Sequence, residues 1–264
     1  MLFMNLSSFI LMRPYLLFSI FIASAIFCSD SACQSITPKR NISTRIINGS
    51  PVSRSSIPVV EINIRDVDGS FLCSGTMIAQ DVVLTARHCV VSRASSHTVI
   101  LRGRSYPVSK VRIHPLSRNT SSGPVYDAAL LFLRRNPKSS FFPLITKRTV
   151  RAGDTIYIYG YGIDNYGSTG RLYSGSMTVA STNSRWIISN FDGQGSNTCQ
   201  GDSGGPAFGL YTNASGQQAL GLVGVTSGGE RQDCQAGDVS YFTNLQSTST
   251  RNFLRGAIRG LVTR

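Results

Sequence analysis

The chain predicts an all-β body closed by one C-terminal helix, and three observations carry that expectation. Charged residues make up only 15% of the 264 positions while glycines number 25, a composition suited to short strands joined by turns. Runs of β-branched and aromatic residues recur with breakers between them, and a helical stripe occurs only at the end. Val59 to Ile64 opens the series, followed by Val82 to Thr85 and Thr98 to Leu101, with Asp68-Gly69 and Arg102-Gly103 as breakers. Ala128 to Leu133 follows and stops before Asn136-Pro137. Thr155-Ile156-Tyr157-Ile158-Tyr159 alternates as a half-buried strand does. Trp186 to Ile188 and Leu220 to Thr226 complete the β runs. From about Ser249 to Val262, Phe253, Leu254, Ala257, Ile258 and Leu261 fall on one helical stripe. Hydrophobic content of 41% suffices for one large or two small cores, and no repeat at solenoid or propeller spacing is present.

The first residues read as a targeting device. Arg13-Pro14 precedes an uncharged apolar stretch, Tyr15 to Phe27, short of the ~20 apolar residues a membrane span needs. Residues 1–31 are therefore expected to be a signal peptide, with Ala23-Ser24-Ala25 or Ser29-Asp30-Ser31 as its cleavage site, and the protein to be secreted or periplasmic. Cys28 is an alternative lipid-attachment residue, against which the bulky Phe27 argues. The polar residues 32–45, with Pro38, Lys39 and Arg40, read as a pro-segment.

In an exported chain the body cysteines Cys73, Cys89, Cys199 and Cys234 read first as disulfides, for which three pairings exist. None forms a CxxC, and His88, His97 and His114 lack ligand spacing, so no metal or other cofactor is expected. The formal charge of +13 suggests a polyanion contact. Its arginines are scattered along the sequence (Arg54, Arg65, Arg87, Arg102, Arg104, Arg112, Arg134, Arg151) rather than set in a basic helix, so no specific nucleic acid is expected.

Chemistry concentrates in Cys199-Gln200-Gly201-Asp202-Ser203-Gly204-Gly205-Pro206. Glycines on both sides of a serine permit a tight turn that exposes the hydroxyl and aims neighbouring amides at one spot. A serine nucleophile also needs a base and a group that orients the base. Upstream lie Leu84-Thr85-Ala86-Arg87-His88-Cys89 and Tyr126-Asp127-Ala128-Ala129-Leu130-Leu131.

Together, and in the order His, Asp, Ser, these segments resemble the chymotrypsin/trypsin-like family of serine proteases. The resemblance spans nearly everything after Arg45 and implies a protease domain over residues 46–264. Its fold would be two six-stranded antiparallel Greek-key β-barrels with a C-terminal helix, acting as a monomer on protein or peptide substrates. It implies Ser203 as nucleophile, His88 as base, Asp127 as its orienting acid, and the amides of Gly201 and Ser203 as oxyanion hole. Phe71 to Ile78 resembles the strand before the histidine, which implies pairing of Cys73 with Cys89 and of Cys199 with Cys234. A common third bridge would need cysteines near Ile156 and Gly209, and neither is one. Arg45-Ile46-Ile47-Asn48-Gly49 resembles an activation site, where a protease cuts after Arg45 and the new Ile46 amine pairs with Asp202. Ser227 resembles a serine that hydrogen-bonds the catalytic aspartate, and Gly229 a position that binds substrate backbone.

Departures concern specificity. Asn197, followed by Thr198, stands where the floor of the primary pocket belongs, and trypsin-like members have aspartate there. Matching Tyr241-Phe242-Thr243 to the later pocket strand puts Ser240 at the same wall, while a shift brings Val239 or Asp238 there instead. If Asn197 decides, basic residues are excluded and a separate activator must cut at Arg45. Gly228 replaces a usual tryptophan, which widens the cleft. No acidic residue lies between Asp81 and Asp127, so a calcium loop is not expected. A second reading is a non-catalytic cationic homologue that only binds. Asn41, Asn119 and Asn213 stand in glycosylation sequons, relevant only to a eukaryotic secretory route.

Overall fold

A computed structural model describes residues 46–53, 57–67, 69–90, 96–162 and 170–264. The expected signal peptide, the pro-segment and, with it, Arg45 lie outside the described residues.

After β1 (Ser50–Val52) the chain builds a closed barrel from β2 (Val59–Asp66), β3 (Gly69–Ala79), β4 (Val82–Thr85), β5 (Ser96–Leu101) and β6 (Arg104–Ile113). A small hairpin of β7 (Arg118–Thr120) and β8 (Gly123–Val125) leads into the barrel's last strand, β9 (Ala129–Leu133). The ladder runs β2-β3-β4-β9-β6-β5 and returns to β2, so the barrel has no open edge. Alternating side chains fill it: Val60, Ile62 and Ile64 of β2 pack with Met77, Leu84, Leu131 and Val99.

The second half comprises β10 (Thr155–Gly160), β11 (Leu172–Thr178), β12 (Ser181–Thr182), β13 (Trp186–Phe191), β14 (Pro206–Thr212), β15 (Gln218–Gly229) and β16 (Asp238–Asn244). Six of these run β11-β10-β14-β15-β16-β13 in hydrogen-bonded order, with short β1 added on β11 and β12 on β13. β11 and β13 also contact each other, which brings the two ends of the six together. Ile156, Ile158, Ile187, Val223 and Phe242 form the core of this barrel, and Ile46 from the N-terminal segment is buried among them. The register that opposes Tyr157 to Phe208 sets Ile156 against Gly209, where no cysteines bridge the strands.

α1 (Thr248–Ala257) is capped by Ser247, whose Oγ accepts from Thr250 N at 3.2 Å. It ends short of the expected Val262 because the tail is claimed by a sheet-like contact. Gly260 takes φ 72°, Leu144 N donates to Val262 O at 3.0 Å, and Arg264 N donates to Leu144 O at 2.9 Å. Among the described residues, no helix is long and apolar enough to cross a membrane.

Candidate active site

His88 lies on a single 3-10 turn, Arg87–Cys89, that leaves the end of β4. Asp127 precedes β9, Ser203 precedes β14, and Ser227 lies on β15. The barrels thus bring together residues up to 139 positions apart at strand ends, where loops are free to aim side chains.

Asp127 is fully buried and is the centre of the site. Its Oδ2 accepts from His88 Nδ1 at 2.7 Å and from Ser227 Oγ at 2.6 Å, and its Oδ1 accepts the His88 backbone N–H at 2.9 Å. Burial alone would raise the carboxyl, but the bonds from His88 and Ser227 outweigh it and hold Asp127 below the ordinary carboxylate range. The ionised carboxylate requires a proton on Nδ1, so Nε2 of a neutral ring is left as the acceptor. The backbone before it is strained, with Tyr126 at φ 49°, and His114 stacks on the Tyr126 ring at 5.0 Å.

Ser203 is tied to the same place by two links. Its carbonyl accepts from Ser74 N at 2.8 Å, and Ser74 follows Cys73, which is disulfide-bonded to Cys89, the neighbour of His88. Ser74 itself is wholly buried. Its Oγ donates to Gly201 O at 2.9 Å and accepts from Tyr161 N at 2.9 Å, and its carbonyl accepts from Thr85 Oγ1 at 2.8 Å. Sequence reasoning passed over Ser74, because nothing distinguishes a serine in a strand from a filler until its partners are known. Gly204 has a harder constraint than flexibility: at φ 81°, a Cβ there would lie 2.1 Å from Thr85 Oγ1 and 2.4 Å from Ser74 O. The turn after the serine therefore packs directly on the first barrel.

Gly201 takes φ 88°, and among the described residues neither its N–H nor that of Ser203 donates to another group. Asp202 turns away from them and is fully buried. It accepts from Ile46 N at 3.2 Å, Cys199 N at 3.0 Å and Gly162 N at 3.0 Å. Ile47 and Asn197 exchange backbone hydrogen bonds beside it, at 2.8 and 3.2 Å. The second disulfide, Cys199–Cys234, joins this loop to the chain entering β16.

A cleft of about 460 Å³ opens at Ser203, lined also by Thr198, Gly228, Gly229, Arg231 and Asp238. Gly228 and Gly229 also line a second cleft of about 420 Å³ toward Trp186 and Tyr241. A Cβ at Gly228 would meet nothing within 4 Å, so the missing side chain leaves the strand between the two clefts bare. At the far rim, Tyr241 donates to Glu230 Oε1, a bond that pushes the phenol up to about 12. Asn197 and Ser240 are buried behind the first cleft and do not line it. His88 approaches both sulfurs of Cys73 and Cys89, but these are joined in a disulfide and have no thiolate to offer a metal.

Such a row of hydrogen bonds, running from Ser227 through Asp127 to the half-exposed His88 imidazole, with glycine-flanked Ser203 lining the cleft, suits acyl transfer. Comparison with known proteins gives the family. Residues 46–251 match the family model described as Trypsin. Serine protease 1 of Drosophila melanogaster is 28% identical over 236 residues, covering 79% of this chain and 84% of that protein. Chymotrypsin-like elastase family member 1 of Bos taurus is 30% identical over 217 residues, 69% of this chain and 78% of its own. A trypsin of Saccharopolyspora erythraea is 29% identical over 189 residues, 62% and 78% respectively. On the match over residues 46–251, carried by a fold of two β-barrels with a C-terminal helix, the chain belongs to the trypsin family of serine proteases.

Proposed function

We propose that the protein is an exported serine endopeptidase, made with a signal peptide (1–31) and a pro-segment (32–45) and switched on by cleavage after Arg45. The observation that carries the reading is the buried Asp127 carboxylate, bonded to His88 twice and to Ser227 once, beside a cleft that Ser203 lines. Ser203 Oγ attacks the scissile carbonyl while His88 Nε2 takes the hydroxyl proton. Negative charge moves to the carbonyl oxygen, which the N–H groups of Gly201 and Ser203 receive. The C–N bond then breaks, His88 gives its proton to the leaving amine, and Ser203 holds the acyl group as an ester. Water, deprotonated by His88, repeats the attack and releases the acid. Asp127 holds the ring in the productive tautomer and stabilises the imidazolium. Exposed Gly229 offers strand backbone to the substrate.

The switch follows from Ile46. With the chain intact its nitrogen is a neutral amide, donating one hydrogen bond to a buried carboxylate. Cleavage after Arg45 turns it into an ammonium in the same contact, so that the buried charge of Asp202 gains an ionic partner. Because Asp202 lies between Gly201 and Ser203, anchoring it also fixes the two oxyanion amides.

Labelling with an uncharged fluorophosphonate tests both parts. The form cut at Arg45 is expected to label at Ser203, the uncut form far more slowly, and Ser203→Ala not at all. A correctly cut protein that never labels would instead be a binding homologue.

A further inference from the structure

Resting on that reading, we propose that Asp238, not Asn197, sets the primary specificity, and that the enzyme cuts after arginine or lysine. Asp238 opens β16, is 1% exposed, and lines the cleft that Ser203 shares. Its carboxylate is held by neutral donors only. Oδ1 accepts the N–H groups of Glu230 at 2.9 Å, Arg231 at 2.8 Å and Val239 at 2.8 Å, and Oδ2 accepts Asn197 Nδ2 at 2.8 Å. Among the described residues no ion pair includes it. The Arg231 guanidinium, which lines the same cleft, spends its hydrogen bonds on Asp233, at 2.9 and 2.8 Å, and reaches Asp238 only as a longer-range charge.

A buried anion surrounded by neutral donors is costly unless a cation completes it. Here the open side is the cleft. Oδ2 accepts one protein hydrogen bond where a carboxylate oxygen takes two. It also lies against Gly229, close enough that a Cβ there would stand 2.9 Å away, beside the strand offered to substrate backbone. A guanidinium or ammonium brought in by the residue before the cut supplies the missing charge. Neutral side chains leave Asp238 unpaired, and acidic ones are repelled.

Asn197 is a positioning residue in this arrangement. It is wholly buried, and its amide is consumed inside the protein: Nδ2 donates to Asp238 and to Cys234 O at 3.1 Å, and Oδ1 accepts from Ser240 Oγ at 2.7 Å. Thr198 Oγ1 and Ser240 Oγ lie 2.7 Å apart and brace the same wall. On this proposal a neutral residue at 197 is compatible with basic substrates, because Asn197 holds the carboxylate of Asp238 in place. A pocket that takes arginine also takes Arg45, so the chemistry does not require a separate activator.

Two matched substrates read the charge without disturbing the fold. Peptide p-nitroanilides ending in arginine or in citrulline, its neutral isostere, are compared on enzyme cut at Arg45 and counted by fluorophosphonate titration of Ser203. Arginine is expected to exceed citrulline in kcat/KM by at least about 10²-fold, the scale of a broken buried ion pair. Asp238→Asn is expected to bring the ratio close to one, normalised to titrated sites. An enzyme that titrates but cleaves the two equally overturns the proposal, as does Asp238→Asn with the ratio intact. If that variant does not fold, the wild-type ratio decides. If Ser203 does not titrate at all, the catalytic reading fails separately. Calorimetry with benzamidine against neutral benzamide then decides the pocket: selective binding of the amidinium supports it, and equal or absent binding overturns it.

Discussion

The two barrels hold their shares of the site in different ways. The first is closed by its own ladder, and the His88 turn is bonded covalently to it through Cys73–Cys89, so His88, the proposed base, stands on structure local to one half. The second carries Ser203, the Gly201 and Ser203 amides proposed as an oxyanion hole, and Asp238, yet its core includes Ile46 and its edge includes β1, both from the segment before the first barrel. Asp202, in the loop that carries Ser203, accepts from Ile46 N of that same segment. On the proposed reading the base side rests mainly on one half, while the nucleophile side also leans on a segment from outside it. The proposed proteolytic switch would act on this second side, since a chain cut at one point can reorganise only what depends on the new end.

The largest effect expected is one that joins the halves. His88→Ala removes the base from the first barrel and Ser203→Ala the nucleophile from the second, and each is expected to lower kcat by about 10⁶. Because the proton taken by one is the proton lost by the other, the double variant should cost no more than either single one. Additive losses in single-turnover assays would mean that the two barrels act independently.

Asp202→Asn separates the halves and ranks second. The substitution leaves the Ile46 ammonium buried without an anion, a change worth about 3–5 kcal/mol where a buried pair loses one member. Ser203 labelling should slow sharply, and the cut protein should lose its gain in Tm over the uncut form. His88 and Asp127 should stay as they are, so the imidazole NH resonance of a proton shared with a carboxylate should survive. Loss of that resonance along with labelling would show that the base side also depends on insertion.

The same division governs what was legible in the sequence. His88, Asp127 and Ser203 stand in short segments whose neighbours repeat a chemical requirement, so local reading singles them out as candidates. Ser74 and Asp238 act through partners 127 and 41 positions away, and only strand register supplies those partners. For Asp238, the pairing of Gly229 with Ser240 fixes which side chains of β16 fall behind the pocket wall and which reach it. The helix ends earlier than its apolar stripe, which continues through Ile258 and Leu261, because the tail's backbone is taken by Leu144. The arginines, scattered along the chain, are partly gathered by the fold. Exposed Arg102 and Arg104, at the β5–β6 turn, lie near Arg134 and Arg135 after β9, whose bonds reach Pro107 O and Ser105 O of β6. This end of the first barrel is where a polyanion contact would be sought.

Asp127 crosses the division, and its effect is the smallest of the three. It belongs to the first barrel by position, but Ser227 of the second supplies one of the bonds that lower its pKa. A carboxylate whose folded pKa lies below its unfolded value of about 3.9 adds stability above that value. The contribution fades as pH falls through the lower folded pKa, where both states bind the proton. Ser227→Ala removes a hydrogen bond to a charged group, worth about 1.5–3 kcal/mol, and moves the folded pKa upward. Urea unfolding should therefore show the variant less stable at neutral pH, with the gap narrowing in acid as Asp127 protonates. A gap that stays constant down to pH 2 would mean that Ser227 contributes packing rather than charge stabilisation, leaving the first barrel to hold its aspartate unaided.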